Sequence, residues 1–158
     1  MNTTATTPLH RTLPATDERV PANTADNVNL DIRRKMEQRL AQLAASDKDA
    51  ITRRLLELEH EWDIERVLEA NAATVVLASA TLAVIEDRRW GWLTVAVGAF
   101  LLQHAVQGWC PPLPVLRRLG VRTAREINEE RLALRILRGD FAVPVSTSAE
   151  ALVLAHEH

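Results

Sequence analysis

Several residue types and sequence features are scarce or absent in this chain, and their absence excludes certain kinds of site. Cysteine occurs once, as Cys110, which excludes an internal disulfide and a zinc site built from several cysteines. Tyrosine is absent, and lysine is rare beside arginine. The formal net charge is only -2, so the charge balance gives no reason to expect a nucleic acid partner. The first residues have neither the basic start nor the apolar stretch of a secretory signal, and none is predicted.

The two ends of the chain are predicted to be loose. Residues 1–26 are rich in Thr, Pro and Asn and contain few apolar side chains. Such a segment buries too little apolar surface to offset the entropy that is lost on ordering. A disordered tail is therefore predicted for 1–26, and a flexible tail for 141–158.

Between the tails the apolar residues recur with the period of a helix, and no stretch alternates like a strand. This pattern predicts an all-α fold. Region 27–61 contains two amphipathic helices, 29–45 and 47–60, with Ser46 as the N-cap of the second. The two can pair as an αα-hairpin or a short coiled coil. Their outer faces are either simply solvated or bind a partner.

Two uncharged runs, 70–85 and 90–116, flank four consecutive charges at 86–89. As helices, 70–85 spans about 24 Å and 90–109 about 28 Å, against ~30 Å for a hydrocarbon core. By hydropathy the second run is the better candidate span. All tryptophans lie at or just outside the ends of the runs, as bilayer interfaces favour. A membrane hairpin is predicted, with a buried soluble hairpin as the alternative. The tryptophans are Trp62, Trp90, Trp92 and Trp109.

A last amphipathic helix is predicted within 124–140. Thr123 is its N-cap, Glu126 stands at the capping-box position, and Gly139 is placed to close it. Arg125 and Glu129 are spaced for an ion pair, and further glutamates dilute the positive charge. The arginines of this helix therefore favour anionic headgroups over nucleic acid. They are Arg125, Arg131, Arg135 and Arg138.

Two short motifs point to a known family. Gly-Trp-Cys-Pro-Pro-Leu at 108–113 is followed by Leu-Gly-Val-Arg-Thr at 119–123. The pair resembles the YgaP-like transmembrane domain family, which shows Gly-x-Cys-Pro after its second span and Leu-Gly-x-x-Thr soon afterwards. Asp-Ile-Glu-Arg at 63–66 is a loose counterpart of the family's polar element before the first span. The resemblance covers 62–123 and implies a two-helix inner-membrane domain of unassigned function.

This chain also departs from the family. It has additional helical regions on both sides of the hairpin, and Pro112 and Pro114 stand where relatives more often have an aromatic residue. Some relatives carry the domain fused to a rhodanese sulfurtransferase. Here Cys110 is not followed by a Cys-x-x-x-x-Arg loop, so sulfur transfer by this chain alone is not expected.

A polar face on the second run contains the candidate site residues. Gln103, Gln107 and Cys110 fall within about 60° on a helical wheel, with His104 at the edge. Polar side chains within a span are either ligand-binding or form interhelical hydrogen bonds. In the structural interpretation these side chains form hydrogen bonds with Asn71, Thr74 or Ser79 of the first run. In the functional interpretation His104 and Cys110 bind a ligand or take part in redox chemistry. One His and one Cys are too few for zinc without a second chain or the terminal His156 and His158, so neither a metal nor a cofactor is predicted.

A strip of small residues lies nearly opposite the polar face. Gly91, Thr94, Gly98 and Ala105 fall within about 60° on the same wheel. Small residues permit helices to approach closely in lipid, and one neighbouring span cannot cover both faces. Self-association is therefore predicted.

The function predicted from these observations is that of a non-enzymatic membrane module. Its cytoplasmic helices would present a surface to an unidentified protein partner or to the lipid bilayer. The positive-inside rule places both termini in the cytoplasm. One alternative is a thiol-dependent accessory of sulfur or redox chemistry that uses Cys110. A second alternative is a soluble helical scaffold. Outside the thiol-dependent alternative, Cys110 is interpreted as a small structural residue.

Overall fold

The structure, a computed structural model, describes residues 15–141, and within that range every regular element is a helix. This confirms the all-α fold class. Predictions for 1–14 and 142–158, which include most of both tails and both terminal histidines, His156 and His158, lie outside the described residues. The helices are α1 (Arg19–Ala22), α2 (Asp26–Ala44), α3 (Lys48–His60), α4 (Ile64–Ile85), α5 (Trp90–Gln107), α6 (Leu113–Arg118) and α7 (Ala124–Arg138).

Helices α4 and α5 pack against each other as a hairpin. Asp63 caps α4 by accepting a hydrogen bond from the backbone nitrogen of Arg66 at 2.8 Å. α5 ends at Gly108, whose φ of 79° lies in the left-handed region. A Cβ at this position would also meet the carbonyl oxygen of Arg19 at 2.5 Å. Both the backbone conformation and the close approach therefore require glycine.

The outward faces of the hairpin are covered with exposed apolar side chains. Val84 is 86% exposed and Trp92 is 76% exposed. Among residues 15–141, the helical segment Lys48–Ile85, which contains α4, is the one stretch long and apolar enough to cross a membrane. Only 11% of its most apolar window is buried. An apolar helix that stays exposed is suited to a non-aqueous surrounding.

Helix α5 falls short of the same criterion within the described residues, so the prediction that the second run is the better span is wrong. Its last turns contain Gln103, His104 and Gln107, which lower the mean hydropathy. The first span gains length instead, because α4 begins at Ile64, before the uncharged run.

Helix α7 packs against both α2 and α3. The sequence predicted that the first two amphipathic helices pair with each other; in the structure each of them packs mainly against α7 instead. Leu40 and Leu43 of α2 pack against the edge of their shared core. The buried members of that core are Ile51, Leu55, Leu58, Ile127 and Leu134.

The ends of these helices test the predicted caps. Thr123 and Glu126 form the capping box of α7, and Gly139 closes the helix with a φ of 92°, so both predictions are confirmed. The prediction of Ser46 as an N-cap is wrong. Asp47 caps α3 by accepting from the backbone nitrogen of Ala50 at 2.7 Å, while the Ser46 hydroxyl donates back into the end of α2.

Residues 15–26 differ from the predicted disordered tail 1–26. They include α1, and Val20 is 3% exposed. A single apolar side chain in a polar stretch has no periodic signal, and the surface that buries it comes from distant parts of the chain. The other buried members of this cluster, the junction core, are Ile64, Leu68, Cys110 and Leu113.

Helix α6 begins in the proline-rich segment that follows α5. α5 has already ended before Gly108, and Pro112 and Pro114 stand at the start of α6. There a missing backbone N–H costs no helical hydrogen bond. Leu113 and Arg117, one turn apart, both face inward and are almost fully buried.

Candidate functional site at the base of the hairpin

Three side chains meet where α4 begins and α5 ends. Nε2 of His104 lies 2.8 Å from Oε2 of Glu65, and Nη2 of Arg19 donates to Oε1 of the same carboxylate at 2.9 Å. The guanidinium of Arg19 pairs with this carboxylate, and an ionised carboxylate can only accept, so His104 contributes its Nε2–H as the donor. These residues are called the Glu65 triad.

An open groove of about 520 Å³ runs along α4 and α5 beside this triad. Its walls are mostly apolar, and His104 and Cys110 both line it. Nδ1 of His104 is buried and has no hydrogen-bond partner within residues 15–141. The structure thus brings His104 and Cys110 to one groove, whereas Gln103 and Gln107 are not among its lining residues.

Cys110 lies in the junction core and is 4% exposed. Burial raises the pKa of its thiol, and the nearby Glu65 carboxylate adds to the effect. The thiolate, which is the nucleophilic form, is therefore disfavoured at neutral pH. This environment is that of a structural cysteine.

We expect Cys110 to react slowly with iodoacetamide at pH 7, more slowly than a free thiol with a pKa near ~8.5. Serine in its place should leave the helical circular dichroism and the membrane insertion nearly unchanged. The control is the same protein unfolded in denaturant, where the thiol should react at the rate of the free amino acid. Rapid alkylation of the folded protein at pH 6 would contradict this and favour a redox role.

The polar contacts between α4 and α5 differ from those predicted. The side chains of Asn71 and Thr74 donate back to carbonyls of their own helix, at 2.8 and 2.7 Å. Ser79 instead shares a hydrogen bond of 2.7 Å with Thr94 across the hairpin. Together with the contact between Glu65 and His104, this bond is what links the two helices through polar groups.

The predicted strip of small residues is divided by the fold. Thr94 faces α4, and a Cβ at Gly91 would lie 3.9 Å from that of Ala83, so this end of the strip packs inside the hairpin. Gly98 has open space around its Cα. Ala105 is exposed, and its carbonyl oxygen accepts from Arg19 at 3.0 Å. Only the part at Gly98 and Ala105 is left for a second chain.

A fully buried arginine fixes α6 to α7 and to the segment around the start of α2. Arg117 is 1% exposed and pairs with both carboxylate oxygens of Glu126 at 2.7 Å. Its remaining N–H groups donate to the Thr24 hydroxyl, the Asn29 side chain and the Val121 carbonyl, at 3.2, 3.0 and 3.0 Å. Every donor of the guanidinium is thus satisfied, which makes its burial tolerable.

A second ionic group, the Glu130 cluster, joins α2, α3 and α7. Glu130 is 0% exposed and pairs with Arg39 at 3.2 Å, with Arg54 at 2.9 Å and with Arg122. Burial by itself would raise its pKa, but the hydrogen bonds and charges of these arginines lower the pKa to about 2. Glu61 pairs with Arg122 at 2.7 Å and completes the cluster.

Sequence reasoning missed the roles of these ionic residues. The sequence assigned Glu126 to the capping box alone and gave no buried partner to Arg117, Arg122 or Glu130. The predicted pair between Arg125 and Glu129 is present at 2.9 Å and exposed. The available signal was the spacing of Glu130, which lies three residues after Ile127 and four before Leu134 and therefore on the buried face of α7.

Within residues 15–141, no group of three or more His, Cys, Asp or Glu side chains is arranged to hold a metal ion. Arginine–carboxylate pairs instead dominate the polar interior. Their geometry suits rigid packing of α2, α3, α6 and α7 on one another, because the buried charges pair with residues of other elements.

An all-helical chain with an exposed apolar hairpin and a charged helical region beside it defines the class of small helical membrane proteins. Residues 63–126 match the family model described as "Inner membrane protein YgaP-like, transmembrane domain". This match confirms the resemblance seen in the sequence, and it supports the coarse conclusion that this is a membrane protein. No curated protein and no solved structure matches the chain.

Proposed function

We propose that this protein is a non-enzymatic module of the inner membrane, anchored by the α4–α5 hairpin with both termini in the cytoplasm. The hairpin holds α2, α3, α6 and α7 at the membrane surface, where they offer a fixed face to a protein partner or to lipid headgroups. The observation that carries the proposal is the combination of an apolar hairpin surface with fully paired buried charges at its base. Buried ion pairs of this kind hold the helices in one arrangement, which keeps the face that they offer to a partner or to headgroups constant.

The orientation follows from the distribution of arginines. Arg53, Arg54 and Arg66 precede the uncharged run 70–85, while the turn between the two helices contains Arg88 and Arg89 beside two acidic residues. Four further arginines follow the second span within a short distance. Positive charge is retained on the cytoplasmic side, which favours a periplasmic turn. The four are Arg117, Arg118, Arg122 and Arg125.

The orientation is tested by a reporter fused after His158. We expect a green fluorescent protein fusion to be fluorescent and an alkaline phosphatase fusion to be inactive, because the C-terminus stays in the cytoplasm. The fusion should also remain in the membrane pellet after a carbonate wash. Phosphatase activity at this position would overturn the orientation, and release by carbonate would favour the soluble scaffold.

We also propose that the protein self-associates through the open part of α5. Gly98 is exposed on the helix, and nothing lies within 4 Å of the position of a Cβ there. We expect Gly98→Leu to weaken cross-linking in membranes, because the larger side chain separates helices that pack closely in lipid. Val95→Leu, exposed one turn earlier, is the matched control. Cross-linking that shows only monomer at every concentration of the unmodified protein would exclude self-association.

A further inference from the structure

We infer that α6 and the first half of α2 form an interfacial platform that binds the phosphate of an anionic phospholipid between Arg34 and Arg118. This inference rests on the proposed function and adds a defined lipid site to it. Four observations support it: the position of α6, its two faces, the charges beside it and the groove between them.

The position of α6 is fixed by the chain and by packing. It begins at Leu113, only a few residues after α5 ends at Gln107. Even a fully extended connection of this length reaches at most about 20 Å. Leu113 is 0% exposed in the junction core, next to the first turns of α4. The end of a spanning hairpin therefore holds α6 at the membrane surface.

Helix α6 has two different faces. Leu113 and Arg117 point into the protein, whereas Val115 is 57% exposed and Leu119 is 74% exposed. A short helix that presents aliphatic side chains outward, at the depth of the headgroups, is suited to insert them into the outer part of the acyl layer.

Two uncompensated arginines lie beside this apolar face. Within residues 15–141 neither Arg34 nor Arg118 takes part in a salt bridge, whereas the buried and half-buried arginines of the two ionic groups do. Asp31 is close by, but Lys35 pairs with it at 2.7 Å. The local excess of positive charge is therefore available to an external anion.

The two arginines line one open groove of about 440 Å³, together with Asn27, Asp31 and the exposed Leu30. Guanidinium groups bind phosphate oxygens through charge-assisted hydrogen bonds, and each arginine near an anionic membrane adds to the attraction. A phosphate next to aliphatic side chains is the chemistry of a phospholipid. The platform is continuous with the hairpin, so the groove lies at the level of the headgroups and a phospholipid headgroup is the ligand that can reach it.

Depth is the first measurement, made on the full chain in bilayer nanodiscs containing phosphatidylglycerol. A spin label is placed at Leu119→Cys in a Cys110→Ser background, and at Leu56→Cys as the control, since Leu56 is also exposed but lies on α3. We expect the label at 119 to collide with oxygen and to be shielded from a water-soluble nickel complex, and the label at 56 to show the reverse. Equal access of nickel to both would overturn the platform, while resistance to carbonate in the same sample would leave the membrane anchor standing.

Lipid selectivity is the second measurement. The Arg34→Gln/Arg118→Gln protein should retain roughly tenfold less phosphatidylglycerol after solubilisation in mild detergent, as counted by mass spectrometry. Lys48→Gln/Arg53→Gln removes the same charge from exposed positions on α3 and should retain as much as the unmodified protein. Equal loss in the two double variants, or displacement of the lipid by millimolar inorganic phosphate, would overturn a headgroup site.

Discussion

Replacing Arg117 with methionine should lower the free energy of unfolding by about 3–5 kcal/mol. The substitution keeps much of the side-chain volume but leaves the Glu126 carboxylate without its cation. It also removes the donors that reach Thr24 and Asn29, so the N-terminal segment and α2 lose their attachment to α6. The loss is measured by denaturant unfolding in detergent micelles, followed by circular dichroism.

Two further variants make this prediction specific. Arg118→Met changes the next residue, which is exposed, and should alter stability by less than about 0.5 kcal/mol in detergent. Adding Glu126→Gln to Arg117→Met should restore part of the loss, because no uncompensated charge then remains buried. An Arg117→Met protein as stable as the unmodified one would show that this ion pair does not hold the helices together.

The second large effect is expected at Glu130. Glu130→Gln should destabilise the protein by about 3 kcal/mol at pH 7, since each unit of pKa shift corresponds to about 1.4 kcal/mol. The side chain keeps its shape but no longer balances Arg39, Arg54 and Arg122. Glu129→Gln, one residue earlier and exposed, is the matched control and should change stability little.

The dependence on pH separates a charge effect from a packing effect. The pKa of Glu130 is about 2 in the folded protein, against a usual value of about 4.5. Its stabilisation is therefore fully present above about pH 4.5 and is lost as the pH falls toward 2. The stability difference between the unmodified protein and Glu130→Gln should shrink over this range. A difference that stays constant from pH 7 to pH 3 would show that the substitution acts through packing alone.

Both predictions concern the same property, namely that ion pairs hold the helices outside the hairpin together. Glu130 joins α7 to α2 and α3, while Arg117 joins α6 to α7 and α2. Loosening either group should free these helices without removing the apolar hairpin from the membrane. A variant that unfolds easily but still resists carbonate extraction would therefore locate the effect in the helices outside the hairpin.

The sequence by itself determined the features that depend on neighbouring residues. The capping box of Thr123 and Glu126 and the closing Gly139 are made within one or two turns, so their residue types are sufficient to predict them. The hairpin follows from two uncharged runs around a charged turn, and the resemblance to the YgaP-like family from two motifs less than a dozen residues apart. Local patterns of this kind need no knowledge of the rest of the fold.

Only the tertiary structure decided which charges are buried and which short segments are ordered. Glu130 meets Arg39 and Arg54 from positions 91 and 76 residues away, so nothing beside it in the sequence marks it as paired. Val20 is ordered for a similar reason, because its burial depends on Ile64 and Leu113. The free energy of burying a charge or a short apolar segment depends on its neighbours in the folded protein. Those neighbours come from distant parts of the chain.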